Sequence, residues 1–138
     1  MNYLKLLRWI ILIGGTYEVI FGILMIFFIH PLLIMLGISN PIINFPIFNQ
    51  TSGVLAITFG FLLIFSAFDI QRYLLIPIVS IGLRIAIQFV IFPNIPVIPE
   101  MAAGLAAFGV VDLVFGGITL LLIIKCKTSN ELTFDLFK

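Results

Sequence analysis

Four apolar stretches fill most of this sequence, at about 4–29, 51–68, 74–92 and 101–124. Each meets the roughly 17–25 residues that an α-helix needs to cross the hydrocarbon of a bilayer. In that medium the backbone must satisfy its own hydrogen bonds, which leaves only helices and closed barrels. Uninterrupted runs of this length select the helix. Composition agrees, with 62% hydrophobic residues, 9% charged residues and a mean hydropathy of +1.32. A soluble domain carries about 25% charged residues. A water-soluble fold of 138 residues could not hide this much Leu, Ile and Phe, because a small domain leaves much of its surface exposed. The expected fold class is therefore all-α integral membrane, a bundle of four transmembrane helices forming one domain over 1–138.

The first stretch has the opening of a signal peptide, with Lys5 and Arg8 ahead of an apolar run. The run is longer than a signal core and lacks a small-x-small cleavage site, so it reads as the first spanning helix. Basic residues then set the orientation. Lys5 and Arg8 precede the first helix, Arg72 lies between the second and third, and Lys125 and Lys127 follow the fourth. The connections 30–50 and 93–100 contain neither Lys nor Arg. The positive-inside rule places both termini and the 69–73 turn in the cytoplasm of a multi-pass cell-membrane protein. Tyr3, Trp9 and Tyr73 fall at the same interface, where amphipathic rings prefer to sit. The turn makes a tight hairpin of the second and third helices, and the spacing of Asp69 and Arg72 permits a salt bridge across it.

The two outer connections are apolar but punctuated by Pro31, Pro41 and Pro46 in one and Pro93, Pro96 and Pro99 in the other. Proline lacks the N–H that a helix interior needs, so both are expected as loops. They read either as interfacial loops facing lipid or as a hydrophobic lid over an internal cavity. Glu100 opens the fourth helix, where a carboxylate suits the N-terminus. In the cytoplasmic tail, 125–138, Thr128-Ser129-Asn130-Glu131 has the spacing of a capping box. Such a box would start a short helix laying Leu132, Leu136 and Phe137 on the membrane surface; the alternative is a disordered tail.

Glu18, Arg84 and Asp112 each lie near the middle of a spanning run. An ionisable group there costs about 2.5–3.5 kcal/mol on insertion scales, so it must be paired, wetted or used. At about 1.5 Å per residue, Arg84 lies roughly 15 Å, Asp112 roughly 18 Å and Glu18 roughly 21 Å from the cytoplasmic ends of their helices. These depths agree within one side-chain length, which predicts a midplane cluster. Ser80, Arg84 and Gln88 recur every fourth residue and form one polar stripe on the third helix. The cluster reads either as a buried ion pair that fixes helix register or as a proton- or ligand-handling site.

Three helices share a further pattern. Gly15 and Gly22, Gly53 and Gly60, and Gly109 and Gly116 are pairs seven residues apart, with Phe21, Phe59 or Phe115 just before the second glycine. Seven residues make almost two turns, so each pair lies on one face. Small residues let membrane helices approach closely. The third position after the first glycine holds Glu18, Ala56 or Asp112, which puts two carboxylates beside close-packed faces. Close packing explains the repetition more simply than an internal duplication does.

Other chemistries find little support. A net charge of +1 offers no field for nucleic acid. Cys126 is the only cysteine, which excludes an intrachain disulfide and a cysteine metal site. His30, the only histidine, reads as interfacial, and Met25, Met35 and Met101 as packing. There is no Ser/His/Asp set and no glycine-rich phosphate loop. Neither a metal nor another cofactor is expected.

The Gly14-x-x-Tyr17-Glu18 start, the segments Gly15 to Gly22 and Gly109 to Gly116, and the acidic Asp112 carry a resemblance. The chain resembles the small four-helix DoxX-like membrane proteins, the BphX-like branch among them. The resemblance implies a four-helix bundle and a group mostly without assigned function, some of whose members accompany quinone-linked oxidoreductases. It brings no defined active site, so a non-enzymatic role is preferred. The leading expectation is an accessory or scaffold subunit of a membrane complex, or a homo-oligomer, whose partners are the bilayer and other subunits or itself. The first alternative is a binder or enzyme for a lipophilic molecule such as a quinone, isoprenoid or sterol-like compound. The second is a proton-linked transporter of small solutes.

Overall fold

The computed structural model describes residues 2–39 and 41–132. It consists of helices α1 (Tyr3–Phe27), α2 (Ile29–Met35), α3 (Pro46–Phe68), α4 (Leu75–Asn94) and α5 (Ala102–Thr128), with a short 3-10 turn, Pro99–Met101, before α5. The described residues contain no strand. Helices α1, α3 and α4, and α5 with its leading turn, are long and apolar enough to cross a membrane. The protein is an all-helical, multi-pass membrane protein on that basis.

The prolines act differently from expectation. The segment 30–50 is not a plain loop: α2 begins after a break at Phe28, and α3 begins at Pro46, ahead of the expected 51. Pro31 and Pro46 both sit in the first turn of a helix, where the missing N–H has no intrahelical partner to lose and the fixed φ favours the helix. Pro93 lies in the last turn of α4, which carries the helix to Asn94 rather than 92. Between α2 and α3 the chain packs on the start of α5. Gly37 has φ +110, a conformation that favours glycine, and a Cβ there would collide with the Glu100 carbonyl. Leu36 lies against Gly104 in the same contact.

The C-terminal segment also departs from expectation. Thr128 to Glu131 ends α5 rather than starting a new helix. Glu131 N–H donates to Cys126 O at 2.9 Å and Asn130 N–H to Lys127 O at 3.2 Å, with Asn130 at φ 55. These two bonds are the pair that closes a helix with a left-handed residue just past its end. Lys125 and Lys127 occupy the last turn of α5, at the negative end of the helix dipole. The chain then folds back. Leu132 is buried, and Glu131 Oε2 accepts the Leu4 N–H at 2.7 Å, satisfying a free donor in the first turn of α1. Gln71 Nε2 donates to Glu131 O at 3.4 Å. Both ends of the described chain therefore meet at one end of the bundle. Leu136 and Phe137 lie outside the described residues.

Asp69 and Arg72 form no side-chain ion pair. Asp69 Oδ1 accepts the Arg72 N–H at 3.3 Å, and the guanidinium lies over the Tyr73 ring, 5.5 Å from its centre. The turn between α3 and α4 is short, yet α3 packs chiefly on α1, and α4 on α5. The buried apolar core gathers at the end that carries the termini, around Leu7, Ile11, Leu63, Ile70, Leu74 and Cys126. Towards the other end, close helix contact replaces bulky core side chains. The antiparallel α1 and α3 meet with Gly15 opposite Gly60 and Gly22 opposite Gly53. A Cβ added at Gly22 would lie 2.5 Å from Gly53 O, and one added at Gly15 would lie 2.8 Å from Gly60 O.

Candidate functional site

The glycine pair of α5 faces something other than glycine. A Cβ at Gly116 would touch Arg84 Cβ and Cδ at 3.7 and 3.8 Å, and one at Gly109 would stand 2.8 Å from Gln88 Oε1. The missing side chains on α5 thus make room for the polar stripe of α4. Arg84 runs over Gly116 and reaches the middle of the bundle, where its side chain is only 7% exposed. On the α1 side, Gly14 leaves space for the same group, since a Cβ there would be 3.8 Å from Arg84 Nη2.

The guanidinium joins three helices. Its Nη2 donates to Glu18 Oε1 of α1 at 2.7 Å, and its Nη1 donates to Asp112 Oδ1 of α5. The planar, forked guanidinium suits this double recognition better than an ammonium would. One ring face of Phe115 lies against the guanidinium, 5.5 Å from its centre, adding a cation–π contact where water is scarce. Phe115 in turn stacks on Tyr17, Tyr17 on Phe21, and Phe21 meets Phe108. An aromatic ladder along the α1·α5 seam therefore ends on the cation.

Every sequence-expected site residue can now be placed. Glu18, Arg84 and Asp112 come together. Gln88 is one turn along α4 and donates from Nε2 to the Arg84 carbonyl at 3.0 Å. Its Oε1 is buried without a partner, facing Gly109. Ser80 is buried one turn the other way and, with Arg84 and Thr119, lines a cavity of about 10 Å³. A space of that size holds one water at most. Gly15, Gly22, Gly53 and Gly60 face the α1·α3 contact instead.

Sequence reasoning missed Phe115 and Tyr17 as parts of the site. The signal was present: Phe115 is three residues after Asp112 and Tyr17 immediately precedes Glu18. It also missed a groove of about 150 Å³ between α4 and α5, with Arg84 and Asp112 at its floor, Ile81, Ile85 and Leu113 in its walls, and Gly117 beside it. The adjacent pair Gly116-Gly117 was the available sign of missing side-chain volume.

The cluster carries one positive and two negative groups. Arg84 has five N–H donors and gives one to each carboxylate, so three are uncommitted. Asp112 Oδ2 and Glu18 Oε2 likewise accept no hydrogen bond from the described residues. The arrangement can lock three helices in register, and it can offer both donors and acceptors to a molecule arriving through the groove. Among the described residues no group of three His, Cys, Asp or Glu side chains could hold a metal ion. No protein-family model, curated protein or solved structure matches the chain.

Proposed function

We propose that this protein is a non-enzymatic building block of membrane assemblies, either an accessory subunit or a self-associating scaffold. The observation that carries this reading is the outward face of α4. Gly82 and Ala86, four residues apart and both exposed, lie on one side of the helix, and a Cβ at Gly82 would meet no atom within 4 Å. A small-residue face without an intrachain partner lets another membrane helix approach closely. The rest of the molecule fits such a role. Its intramembrane charges pair with one another, and most of the described residues lie in the four spanning helices. The distribution of Lys and Arg supports a cell-membrane setting with both termini cytoplasmic. The Gly15 to Gly22 and Gly109 to Gly116 segments, with Asp112, support kinship with the DoxX-like, BphX-like group.

The test is the mass of the full chain extracted from its native membrane in polymer-bounded lipid discs. An assembly of fixed stoichiometry, heavier than the 15.4 kDa monomer, is expected. Gly82→Leu should release the 15.4 kDa chain without changing its helicity, because a Cβ there has no neighbour within 4 Å from another helix. A wild-type protein that is monomeric in its native lipid overturns the proposal.

A further inference from the structure

We infer that the groove between α4 and α5 is a binding site for a neutral, ring-bearing lipophile whose head group is a hydroxyl. This goes beyond assembly, because it assigns a ligand chemistry to a place in the fold. The groove opens between two spanning helices half-way along them, so its occupant must partition into the bilayer. Its volume of about 150 Å³ is that of a cavity that takes one benzene ring. Ile81, Ile85 and Leu113 supply the apolar walls, and the open space in front of Gly117 gives the ring room to enter.

The floor decides the head group. Arg84, nine-tenths buried, and Asp112 both line the groove; the guanidinium gives one N–H to each carboxylate and keeps three uncommitted, and Asp112 Oδ2 accepts none from the described residues. One hydroxyl satisfies both, accepting from the guanidinium and donating to the carboxylate. A ketone or quinone carbonyl accepts but cannot donate, and it would leave the Asp112 oxygen facing another oxygen. A carboxylate ligand would bring a third carboxyl group to a single guanidinium. A site whose buried polar groups pair with a hydroxyl rejects the analogue that lacks it, because those groups are then left unpaired.

Fluorine NMR on the full chain in lipid nanodiscs tests this, with a fluorinated para-hexylphenol as the probe. Its methyl ether and the matching para-hexylbenzoate are the comparisons, and empty nanodiscs set the partitioning baseline. The expected result is a saturable shift of the phenol signal, with the ether and the benzoate each at least about tenfold weaker. Gly117→Leu sets its Cβ where nothing lies within 4 Å and carries its branch into the open groove, so it should abolish the saturable shift while the unfolding curve is unchanged. Should that variant fold poorly, Leu120→Trp, on the wall of the same groove and 43% exposed, serves instead. Equal binding of phenol and ether, retention of the shift in the filled groove, or no saturable binding at all overturns the assignment.

Discussion

The α1·α3 and α4·α5 contacts use one sequence device for two physical ends. In α1·α3 both helices carry a glycine pair, and the missing side chains let backbone meet backbone at Gly15 with Gly60 and Gly22 with Gly53. In α4·α5 only α5 carries the pair, and the space it leaves is taken by Arg84 and Gln88. The first contact gains dispersion from close approach, which is the main attraction left to helices in lipid. The second gives a polar side chain a berth that lipid would not. A glycine pair therefore announces missing volume without saying what fills it. Helix α1 takes part in both arrangements, because Glu18 lies about 60° round the helix from the Gly15 face and so reaches Arg84 while the glycines hold α3.

The largest test of this contrast is Arg84→Ala. It leaves two carboxylates facing each other in the membrane interior and removes the side chain that fills the berth beside Gly116. Breaking a buried charge cluster by deleting one member costs about 3–5 kcal/mol. Reversible unfolding in mixed micelles should show a loss of that size. Neutralising the carboxylates in the same chain, with Glu18→Gln and Asp112→Asn beside Arg84→Leu, should recover at least half of it, because no uncompensated charge remains. An Arg84→Ala protein as stable as the wild type would show that the cluster does not hold the helices.

Next in size is Gly22→Ala, which probes the dry contact. The new Cβ would stand 2.5 Å from Gly53 O, 2.7 Å from Ile57 Cγ1 and 2.9 Å from Ile57 N. Two of these are backbone atoms of a facing helix, so the helices must separate. Overpacking of this kind costs about 1–3 kcal/mol, against a gain of up to about 1 kcal/mol from replacing glycine within a helix. The same unfolding measurement should therefore show a net loss. Wild-type stability in Gly22→Ala would mean that α1 and α3 do not approach through these glycines.

Much of this architecture is legible in the sequence. Spans, their number and the meeting of Glu18, Arg84 and Asp112 follow from segment length and depth, because a bilayer reduces three-dimensional placement nearly to one coordinate. Three things were not legible. Proline signals were ambiguous, since Pro31 and Pro46 start helices while the same residue in a helix interior would break one. The 128–131 motif points the wrong way: a Ser or Thr three residues before Glu describes a helix start, yet Asn130 in a left-handed conformation closes α5 and delivers Glu131 to the start of α1. Finally, depth ranks residues along the membrane normal but not around the helix. The aromatic backing of Arg84 by Phe115 and Tyr17, and the groove beside Gly117, therefore had to come from packing.

The smallest effects sharpen the comparison most, because they separate the two uses of glycine at constant chemistry. Gly109→Ala places a methyl 2.8 Å from Gln88 Oε1, which is the tip of a flexible side chain. That tip can swing aside, so the cost should stay below about 1 kcal/mol, the range in which a helical glycine-to-alanine gain offsets a mild clash. Gly116→Ala places its methyl 3.7 Å from Arg84 Cβ and 3.8 Å from Cδ, both ordinary contact distances. It adds packing and removes the backbone entropy cost of glycine, so stability should be unchanged or higher by up to about 1 kcal/mol. The same glycine-to-alanine change is thus expected to destabilise at Gly22 and not at Gly116, although the two residues hold equivalent places in matching segments. If Gly116→Ala destabilises as much as Gly22→Ala, the α4 and α5 backbones must pack as tightly as α1 and α3 do, and Arg84 would have no berth between them.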